Sequence, residues 1–541
     1  MFPTLTPEQI DAIARHGASR AVERGEVLIE VGDPAVPFFV VRSGRVQIIR
    51  PAMRGETVVA VHGPGNFSGE ANLFLGRRSL TRAEVIEAGE VVELSHEALL
   101  RLVQTDADIS QILMRAFIYR RVELFAHGLG DVALIGSTHS AATLGIREFL
   151  TRNGHPFAYF DLDREDDIQV LLDRFDVAVD EIPVLICCNG LVLRNPTNQR
   201  IAEALGFNES IDQTHVRDVV VIGAGPAGLA AAVYGASEGL DVLVIESHAP
   251  GGQAGSSSRI ENYLGFPMGI AGSELAGRAY AQAQKFGAQI AIAKGATRLS
   301  CDRRPYAVYT DGGPPVPART VIIATGAEYR RLALENVSQF EGVGVYYGAT
   351  PMEQQLCSGE EVIVVGGGNS AGQAAVFLAS NSSHVQMFVR GNGLEDKMSR
   401  YLIRRIEENP AIVLRTQAEI IALEGDVHLE RVQWRDKRTG SVETSDIRHV
   451  FMMTGAAPNT AWLQRCVALD GKGFVKTGAD LSDDELESAR WPLQRRPHLL
   501  ETSLPGVFAV GDVRSGNVKR VASAVGEGSI AIALVHQVLH Q

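Results

Sequence analysis

The sequence predicts a multidomain protein in which a small β-barrel with a C-terminal helix and an α/β module precede two doubly wound α/β domains. The chain has 541 residues, which at about 150 residues per domain suggests three to four domains. Residues 1 to about 125 alternate like short antiparallel strands and end in a helical stretch. Further along, a strand, a glycine-rich turn and a helix follow one another twice, which is typical of doubly wound α/β folds.

Composition and charge narrow the classes of function. Apolar residues make up 45% of the chain and charged residues 21%, as in ordinary globular proteins. The net charge is −13, and an acidic surface argues against nucleic acid or an anionic membrane as the main partner. We find neither a signal peptide nor a run of about 18 apolar residues, so we predict a cytoplasmic protein without a membrane span.

The cysteines are few and irregularly spaced. They are Cys187, Cys188, Cys301, Cys357 and Cys466. An odd number without regular spacing does not predict a secreted disulfide framework. Cys187 and Cys188 stand in a predicted strand, where neighbouring side chains face opposite ways, and we predict that they are core residues. No Cys-x-x-Cys motif occurs, and we assign no metal site.

The first glycine-rich turn predicts a dinucleotide site. A β-branched strand over 219–222 runs into Gly223-x-Gly225-x-x-Gly228, and a small-residue helix and a second strand ending at Glu246 follow. In such a unit the first glycine makes the turn, the second lets the backbone reach a pyrophosphate, and the third lets helix and strand pack closely. A carboxylate at the position of Glu246 would hold ribose hydroxyls.

A second copy of this pattern predicts a second dinucleotide site. The motif Gly-x-Gly-x-x-Ala at 366–371 follows a strand and opens a helix, and the next strand ends in Arg390 without a carboxylate. Lys397 and Arg400 come soon after. The missing acid and these cations favour a 2′-phosphate, hence NADPH over NADH, although solvated surface cations are the alternative. Two Rossmann-like units in one chain usually mean a flavin and a nicotinamide.

Shorter motifs surround the two turns. They are Gly-Gly-Gln at 251–253, Glu-Asn at 261–262, Gly-Phe-Pro at 265–267, Ala-Thr-Gly at 324–326 and Gly-Asp at 511–512. With the two turns, they resemble the low-molecular-weight thioredoxin reductase family of pyridine-nucleotide flavoproteins over about residues 216–541. The resemblance implies that the cofactors are FAD and NADPH. It also implies that Asp512 lies against the ribityl chain of the flavin and that residues 520–522 lie near its ring.

The resemblance implies a domain arrangement and a set of binding residues. The NADPH domain, 329–455, would be inserted between two halves of the FAD domain, 216–328 and 456–541, and the protein would be a homodimer. The residues implied for FAD are Gly223, Gly225, Pro226, Ala227, Gly228, Glu246, Gly252, Gln253, Asn262, Ala324, Thr325, Gly326, Gly511, Asp512, Arg520, Val521 and Ala522. The residues implied for NADPH are Gly366, Gly368, Asn369, Ser370, Ala371, Arg390, Lys397 and Arg400.

One motif departs from the family. Where thioredoxin reductases carry Cys-Ala-Thr-Cys, this chain reads Gly348, Ala349, Thr350 and Pro351. Disulfide exchange needs an attacking thiolate, and neither cysteine is present. Cys357, which follows, is predicted to be a packing residue. An ordinary flavin disulfide reductase is therefore disfavoured, whereas hydride transfer from NADPH to FAD needs no cysteine.

The expected function is that of an FAD-dependent oxidoreductase that takes hydride from NADPH and passes electrons to an unidentified acceptor. No general acid or base stands out, so no catalytic residue is assigned. Tyr346 and Tyr347 precede the altered motif and could stack near the flavin, although strand packing explains them as well. Two alternatives remain open. One is disulfide reduction through an external dithiol protein or Cys357, and the other is a redox or ligand sensor with incidental turnover.

The α/β module at residues 129–210 resembles a thioredoxin or glutaredoxin fold. Its strand order fits, and Ile182-Pro183 resembles the cis-proline of that fold. The segment after its first strand, 137–143, has no cysteine, so the module lacks a redox dithiol. We interpret it as a docking or scaffolding module, or one that only bridges domains. His139, in that segment, is either a recognition residue or a solvated loop histidine.

Residues 1–128 resemble the cyclic nucleotide-binding domain. Gly69 and Glu70 match its phosphate-binding cassette, in which Glu70 would bind a ribose hydroxyl. The family's phosphate-binding arginine is replaced by Ser79, which cannot make a bidentate, charge-assisted contact. A degenerate sensor for another ligand or a dimerisation module is therefore favoured over a cAMP or cGMP site. Three arginines lie near that position but displaced from it: Arg77, Arg78 and Arg82.

Overall fold

The computed structural model describes residues 3–33, 36–52, 55–69, 79, 81–113, 115–116, 132–163, 181–187, 191–208, 211–212, 214–463 and 466–541. The N-terminal part is a six-stranded antiparallel sheet with helices, as the strand pattern predicts. The side chain of Thr6 caps the first helix. The elements are α1 (Pro7–Ala14), β1 (Ala18–Val22), β2 (Val27–Ile29), β3 (Phe38–Ala52), β4 (Gly55–His62), β5 (Phe67–Ser68), β6 (Arg82–Leu94) and α2 (His96–Thr105).

A four-stranded mixed sheet follows, which we call the mixed-sheet module (residues 132–207). Its elements are β7 (Val132–Gly136), α3 (Ala141–Arg152), β8 (Ala158–Asp161), β9 (Val184–Cys187), β10 (Val192–Arg194) and α4 (Asn198–Ala204). The strand order is β10-β9-β7-β8, with β7 and β8 parallel and the other pairs antiparallel. Ile182-Pro183 is cis, and Cys187 is buried, as predicted. Cys188 lies outside the described residues.

The next segment forms most of a mixed sheet, which we call the first parallel sheet because four adjacent strands of the segment run parallel, whereas its two other strands pair antiparallel. Its elements are β11 (Arg217–Ile222), α5 (Pro226–Ser237), β12 (Val242–Glu246), α6 (Gly252–Gly255), α7 (Gly272–Lys285), β13 (Gln289–Ile292), β14 (Ala296–Ser300), β15 (Tyr306–Thr310) and β16 (Val316–Ile323). The order is β13-β12-β11-β16-β15-β14. The buried runs of Val and Ile in β11 and β12 are typical of parallel strands covered on both faces.

The mixed-sheet module shares a hydrophobic core with this sheet. Phe149 and Leu185 of the module belong to the same buried cluster as Val219 and Val244. Phe149 also stacks against Phe207 with ring centroids 5.9 Å apart. Because one apolar core serves both units, the module is fixed to the sheet rather than tethered beside it.

A second parallel sheet follows, with the order β18-β25-β19-β20-β21. The elements are β17 (Ala327–Tyr329), α8 (Val337–Phe340), β18 (Val345–Tyr346), α9 (Pro351–Leu356), β19 (Glu361–Val365), α10 (Asn369–Leu378), β20 (His384–Val389), α11 (Arg400–Glu407), β21 (Ile412–Thr416), β22 (Ala418–Glu424), β23 (Arg431–Asp436), β24 (Val442–Ser445), β25 (His449–Met452) and β26 (Ala456–Pro458). Strands β22 to β24 form a separate antiparallel sheet, and β26 pairs with β17. The β17–β26 pair therefore joins the two connections between the parallel sheets.

The chain then returns to the first parallel sheet. The last elements are α12 (Asp483–Ser488), β27 (Val507–Ala509) and α13 (Val521–Leu539), with 3-10 turns at Ala461–Leu463, Gly478–Asp480 and Gly511–Val513. Strand β27 pairs parallel with β16. Helix α13 is long and apolar enough to cross a membrane by length and composition. Core helices pass the same test, and α13 packs Ala531, Ile532 and Val535 into the core of the first parallel sheet.

A disulfide joins Cys301 to Cys466, which are 165 positions apart along the chain and whose Cα atoms are 5.9 Å apart. Cys301 follows β14, and Cys466 follows the 3-10 turn Ala461–Leu463. The irregular spacing of the cysteines predicts no disulfide framework, and it does not reveal this single long-range pair. The pair forms because the return of the chain brings Cys466 beside Leu299, whose carbonyl oxygen is 3.2 Å from the Cys466 sulfur.

Candidate functional site

Four chain segments meet at the carboxyl end of the first parallel sheet. A Cβ on Gly223 would lie 2.4 Å from the carbonyl oxygen of Ala324, and one on Gly252 would lie 3.0 Å from the Cα of Gly225. A Cβ on Gly511 would lie 3.0 Å from the Cβ of Ala227. The sequence motifs at 223–228, 251–253, 324–326 and 511–512 therefore line one backbone cradle.

The cradle has the donors that a pyrophosphate needs. Helix α5 begins after Gly225, and no side chain caps this helix, so its first N–H groups have no intrahelical partner. A Cβ on Gly225 would meet nothing closer than the Cα of Gly252 at 3.9 Å, so the space above this residue is open. Free N–H groups at a helix N-terminus with no side chain in front of them suit a phosphate.

Glu246 stands at the end of β12 and is buried beside this cradle. Its carboxylate accepts hydrogen bonds from the backbone N–H groups of Ala224 at 2.7 Å, His248 at 2.8 Å and Ala249 at 3.2 Å. Burial raises the pKa of Glu246, and these donors and the charge of Arg152 oppose that rise. The carboxylate is thus held rigidly between the first turn and the loop that leads to Gly252.

The C-terminal motif closes the cradle from the other side. Gly511 has a φ of +72° and donates its N–H to Glu527 at 2.7 Å. Asp512 is next to it, and burial raises the pKa of its carboxyl. Arg520 precedes α13, whose N-terminus has no side-chain cap.

Two further residues predicted for FAD hydrogen-bond to neighbouring segments. The hydroxyl of Thr325 donates to the carbonyl of Asn459 at 2.8 Å, and the side-chain amide of Gln253 donates to the carbonyl of Ala327 at 2.6 Å. Asn262 is exposed. The cradle is thereby tied to the connections that lead into the second parallel sheet.

A second glycine-rich turn lies at the carboxyl end of β19. Gly366 has a φ of +147°, and a Cβ there would lie 2.5 Å from the carbonyl oxygen of Met453. Helix α10 begins after Gly368 without a side-chain cap. The side chain of Asn369 accepts a hydrogen bond from the N–H of Ser399 at 2.7 Å, which fixes the loop that carries Lys397 against the turn.

Three cations surround this second turn. Arg390, Lys397 and Arg400 are all exposed. None of them forms an ion pair with another residue in the described part of the chain. Their charges are therefore available to a phosphate bound near the N-terminus of α10.

The two turns face each other across Tyr329. Burial raises the pKa of the Tyr329 hydroxyl, Ser370 of the second turn opposes that rise, and the charge of Asp512 adds to it. A second bridge joins α11 to the loop before Asn262, where Arg405 donates twice to the carboxylate of Glu261, at 2.9 Å each. The arrangement brings two dinucleotide cradles to one interface.

Helix α3 of the mixed-sheet module lies near the segment that carries the altered motif. A Cβ on Gly342, upstream of the motif, would lie 3.1 Å from the Cβ of Ala141 in α3. The rings of His139 and His428 are 6.5 Å apart. Burial raises the pKa of Glu353, and the charge of Glu148, also in α3, adds to the rise. The module therefore packs close to the region where a redox dithiol is expected from the resemblance.

A family model described as pyridine nucleotide-disulphide oxidoreductase matches residues 217–528. This chain belongs to the pyridine nucleotide-disulphide oxidoreductase family. It is an NADPH-dependent FAD oxidoreductase, and FAD and NADPH are the cofactors of its thioredoxin reductase relatives. A second model, the cyclic nucleotide-binding domain, matches residues 19–106.

Three similar proteins each cover about 60% of this oxidoreductase. Thioredoxin reductase of Treponema pallidum is 33% identical over 314 residues, which are 58% of this chain and 94% of the relative. That of Ureaplasma parvum is 34% identical over 319 residues, 58% of this chain and 94% of the relative. The crystal structure of Lactococcus lactis thioredoxin reductase in the FR conformation has a TM-score of 0.53 and 26% identity, and covers 60% of this chain and 100% of that one.

In this oxidoreductase the altered motif forms the start of a helix. Thr350 caps α9, Pro351 stands in its first turn, and the carboxylate of Glu353 accepts hydrogen bonds from the N–H of Thr350 at 2.8 Å and from its hydroxyl. This is a complete capping box. Of the two positions that lack cysteine, Pro351 thus opens the helix, whereas a Cβ on Gly348 would meet nothing within 4 Å.

The nearby aromatic and sulfur groups pack inside the second sheet. Tyr346 is buried, and its hydroxyl lies 3.3 Å from Nδ1 of His449, while Tyr347 donates to Glu341 at 2.8 Å. The suggestion that these tyrosines stack near the flavin is therefore not supported, because strand packing accounts for both. Cys357 is 0% exposed, and burial raises the pKa of its thiol, as a packing residue requires.

In the cyclic nucleotide-binding domain, three of the positions singled out in the sequence are described. Ser79 is buried, and its hydroxyl donates to the carbonyl of Thr81 at 2.7 Å. Arg82 pairs with Glu56 at 2.8 Å, so its charge is already balanced. Gly69 has a φ of +98°. Glu70, Arg77 and Arg78 lie outside the described residues.

Four residues that the sequence patterns miss contribute to these sites: Tyr329, Glu353, Arg405 and Arg152. Tyr329, Arg405 and Arg152 act through partners far away along the chain, which no local motif encodes. Glu353 has a partial signal, since Thr-Pro-x-Glu predicts a capping box. The pattern gives no indication that the carboxyl is buried.

We expect Glu353→Gln to raise the thermal midpoint at pH 8 by about 2 °C and to leave it nearly unchanged at pH 4. Burial raises the pKa of Glu353, and Glu148 adds to the rise. A raised pKa destabilises the fold as pH rises above the pKa of the unfolded chain, and the full penalty applies above the folded pKa. Glutamine keeps the capping box without the charge. Calorimetry at both pH values measures the effect.

The matched control is Glu485→Gln in the capping box at Ser482. There the side chain of Lys476 lowers the pKa of Glu485, so the carboxylate stabilises the fold at neutral pH. For Glu485→Gln we expect the opposite effect, a lower thermal midpoint at pH 8. Equal shifts of the thermal midpoint in Glu353→Gln and Glu485→Gln would contradict the argument that burial of the Glu353 carboxylate destabilises the fold.

Proposed function

We propose that this oxidoreductase takes hydride from NADPH and delivers electrons from its flavin directly to an acceptor outside the chain, without a resident dithiol. The observation that carries the proposal is the altered motif. Residues 348–351 hold no sulfur, they begin a capped helix, and α3 of the mixed-sheet module lies against this region. Disulfide exchange has no thiolate to start from here.

The cradle residues fit the two cofactors. FAD, when bound, supplies the two-electron chemistry that links a nicotinamide to an acceptor. On this proposal, Gly225 and Gly252 admit its pyrophosphate, Glu246 binds ribose hydroxyls, and Asp512 lies along the ribityl chain. The same proposal assigns the other predicted FAD residues to this cofactor.

The second turn suits NADPH. The N-terminus of α10 would accept the pyrophosphate, and Arg390, Lys397 and Arg400 would bind the 2′-phosphate. Both Ser370 of the second turn and Asp512 act on the pKa of Tyr329, so residues of both sites lie near this one side chain. This proximity supports hydride transfer without a disulfide between the sites.

The acceptor must then reach the flavin itself. The candidates are a quinone, a ferredoxin or flavodoxin, a small electrophile, or oxygen. A route through Cys357 is disfavoured because this thiol is fully buried and its pKa is raised. A thiolate at neutral pH requires the opposite environment.

We further propose that the mixed-sheet module is a thioredoxin-like docking element without redox function. Its strand order and cis-proline support this assignment. The predicted boundaries, 1–128, 129–210, 216–328 with 456–541, and 329–455, divide the chain accordingly. The first domain would act as a degenerate ligand sensor or a dimerisation module.

The test is an anaerobic titration of the purified flavoprotein. We expect NADPH to bleach the flavin absorbance rapidly and NADH to bleach it slowly. Candidate acceptors are then added one at a time to find which restores the colour. Thioredoxin with a disulfide dye should give no NADPH oxidation above background, and Cys357→Ser should behave like the wild type. Rapid thioredoxin-dependent turnover that Cys357→Ser abolishes would overturn the proposal.

A further inference from the structure

The flavin cradle is held from outside by the mixed-sheet module. At the C-terminal end of α3, one nitrogen of the Arg152 guanidinium, Nη2, donates to the carbonyl of Gly252 at 2.8 Å. The side-chain amide of Asn153 donates to the carbonyl of His248 at 3.2 Å, and that of Asn198 lies 3.2 Å from Nδ1 of His248. Three side chains of the module thus fasten the loop between Glu246 and Gly252.

We propose that Arg152 is a positioning residue for FAD, which fixes the Gly252 turn and supplies positive charge beside the pyrophosphate. The proposal rests on the assignment of the cradle to FAD. It assigns to the mixed-sheet module a part in cofactor binding, beyond docking or scaffolding.

The geometry restrains the turn at the point where it meets the first glycine motif. In a trans peptide the carbonyl of one residue and the N–H of the next lie in one plane, so fixing the carbonyl of Gly252 also fixes the N–H of Gln253. Gly252 faces Gly225, since a Cβ on one would lie 3.0 Å from the Cα of the other. Arg152 therefore sets the width of the cradle at this point.

The guanidinium is itself well held. Its other terminal nitrogen, Nη1, pairs with Glu148 at 3.2 Å, and the Arg152 side chain is only 18% exposed. Its Nε is buried and has no hydrogen-bond partner among the described residues. Since an unpaired buried donor is unfavourable, this nitrogen favours an anionic neighbour.

The charge of Arg152 also favours a role in FAD binding. The charge of Arg152 lowers the pKa of both Glu246 and His248, so the guanidinium lies within range of the buried carboxylate of the cradle. Bound FAD would add the two negative charges of its pyrophosphate next to Glu246. A partly buried cation at this place offsets that accumulation of negative charge, because the low local dielectric strengthens the attraction.

The test is the affinity of the deflavinated, full-length protein for FAD, followed by quenching of flavin fluorescence. We expect Arg152→Met to raise the dissociation constant about tenfold, which corresponds to about 1.4 kcal/mol. We also expect its affinity to depend less on NaCl concentration than that of the wild type, because one charge–charge attraction is gone. Arg152→Lys keeps the charge without the planar fork and should recover part of the affinity.

The matched control is Arg147→Met. Arg147 stands on the same helix, but its guanidinium stacks 4.3 Å from the ring centroid of Tyr159 within the module. We expect this variant to bind FAD as the wild type does. Thermal unfolding of each apoprotein shows whether the variants fold.

Two results would count against the proposal in different ways. FAD affinity and salt dependence equal to the wild type in a folded Arg152→Met variant would overturn the role of Arg152 alone. Weaker binding without any change in salt dependence and without recovery in Arg152→Lys would reduce it to a packing role. Failure of the wild-type protein to rebind FAD would instead contradict the assignment of the cradle.

Discussion

Gly225→Ala should give a folded protein that has lost most of its flavin. A Cβ at Gly225 meets no atom of the protein closer than the Cα of Gly252 at 3.9 Å, and its φ of −70° suits alanine. The new methyl group would stand in the space above the N-terminus of α5, where a pyrophosphate would approach the backbone. We expect FAD to bind at least about tenfold more weakly, measured by fluorescence titration of the apoprotein.

Two other glycines separate this effect from damage to the fold. A Cβ on Gly228 would lie 1.9 Å from the carbonyl oxygen of Gly223, so Gly228→Ala should lower the thermal stability of the apoprotein itself. A Cβ on Gly277, inside α7, would meet nothing within 4 Å, so Gly277→Ala should leave flavin binding unchanged and should not lower the thermal stability. Normal flavin content in Gly225→Ala would show that the cofactor does not approach this turn.

Replacing Arg390, Lys397 and Arg400 together by glutamine should abolish the preference for NADPH. All three are exposed, without an ion pair to any described residue, and they surround the N-terminus of α10. We expect kcat/KM for NADPH to fall about 100-fold, the equivalent of about 2.8 kcal/mol. The value for NADH, which lacks the 2′-phosphate, should change little. The readout is the rate of flavin bleaching with each nucleotide.

Arg435→Gln is the control for general loss of positive charge. Arg435 is equally exposed but lies in β23, in the separate antiparallel sheet. The Arg435→Gln variant should leave the ratio of the kcat/KM values for NADPH and NADH unchanged. An equal loss of activity with NADPH and NADH in the triple variant would contradict recognition of the 2′-phosphate by these residues.

The glycine motifs were predictable from sequence because they are local. The turns at 223–228 and 366–371 each need a strand before them and a helix after them, and both conditions can be read within about 30 residues. The structure places both turns at the carboxyl ends of parallel strands. The cis peptide at Ile182-Pro183 was predictable for a similar reason, since it depends on a local resemblance.

The contacts that join the modules were not predictable. Tyr329 meets Ser370 and Asp512 only after the chain has entered the second sheet and returned. Arg152 is an ordinary surface cation by its position near the end of a helix, and its bond to Gly252 depends on the core that the module shares with the first parallel sheet. The hydrophobic periodicity of a helix or strand predicts that one of its faces is apolar, but it does not predict which distant element packs against that face.

The sequence pattern also gave too much weight to two residues. Tyr346 and Tyr347 stand next to the altered motif, and proximity in sequence suggested proximity to the flavin. Both side chains instead pack within the region of the second parallel sheet, where the ring of Tyr346 contacts His449 and Phe451. In a β-strand, neighbours in sequence face opposite sides, so adjacency to a motif does not locate a side chain.

The disulfide between Cys301 and Cys466 changes the covalent connectivity of the chain. It links the chain before the second parallel sheet to the chain after it, so that sheet belongs to a closed ring of the polypeptide. A protease that cuts a loop within this ring produces two fragments that remain one molecule until the sulfurs are reduced. The two halves of the flavin cradle, at Gly223 and Gly511, would then stay paired after such a cut.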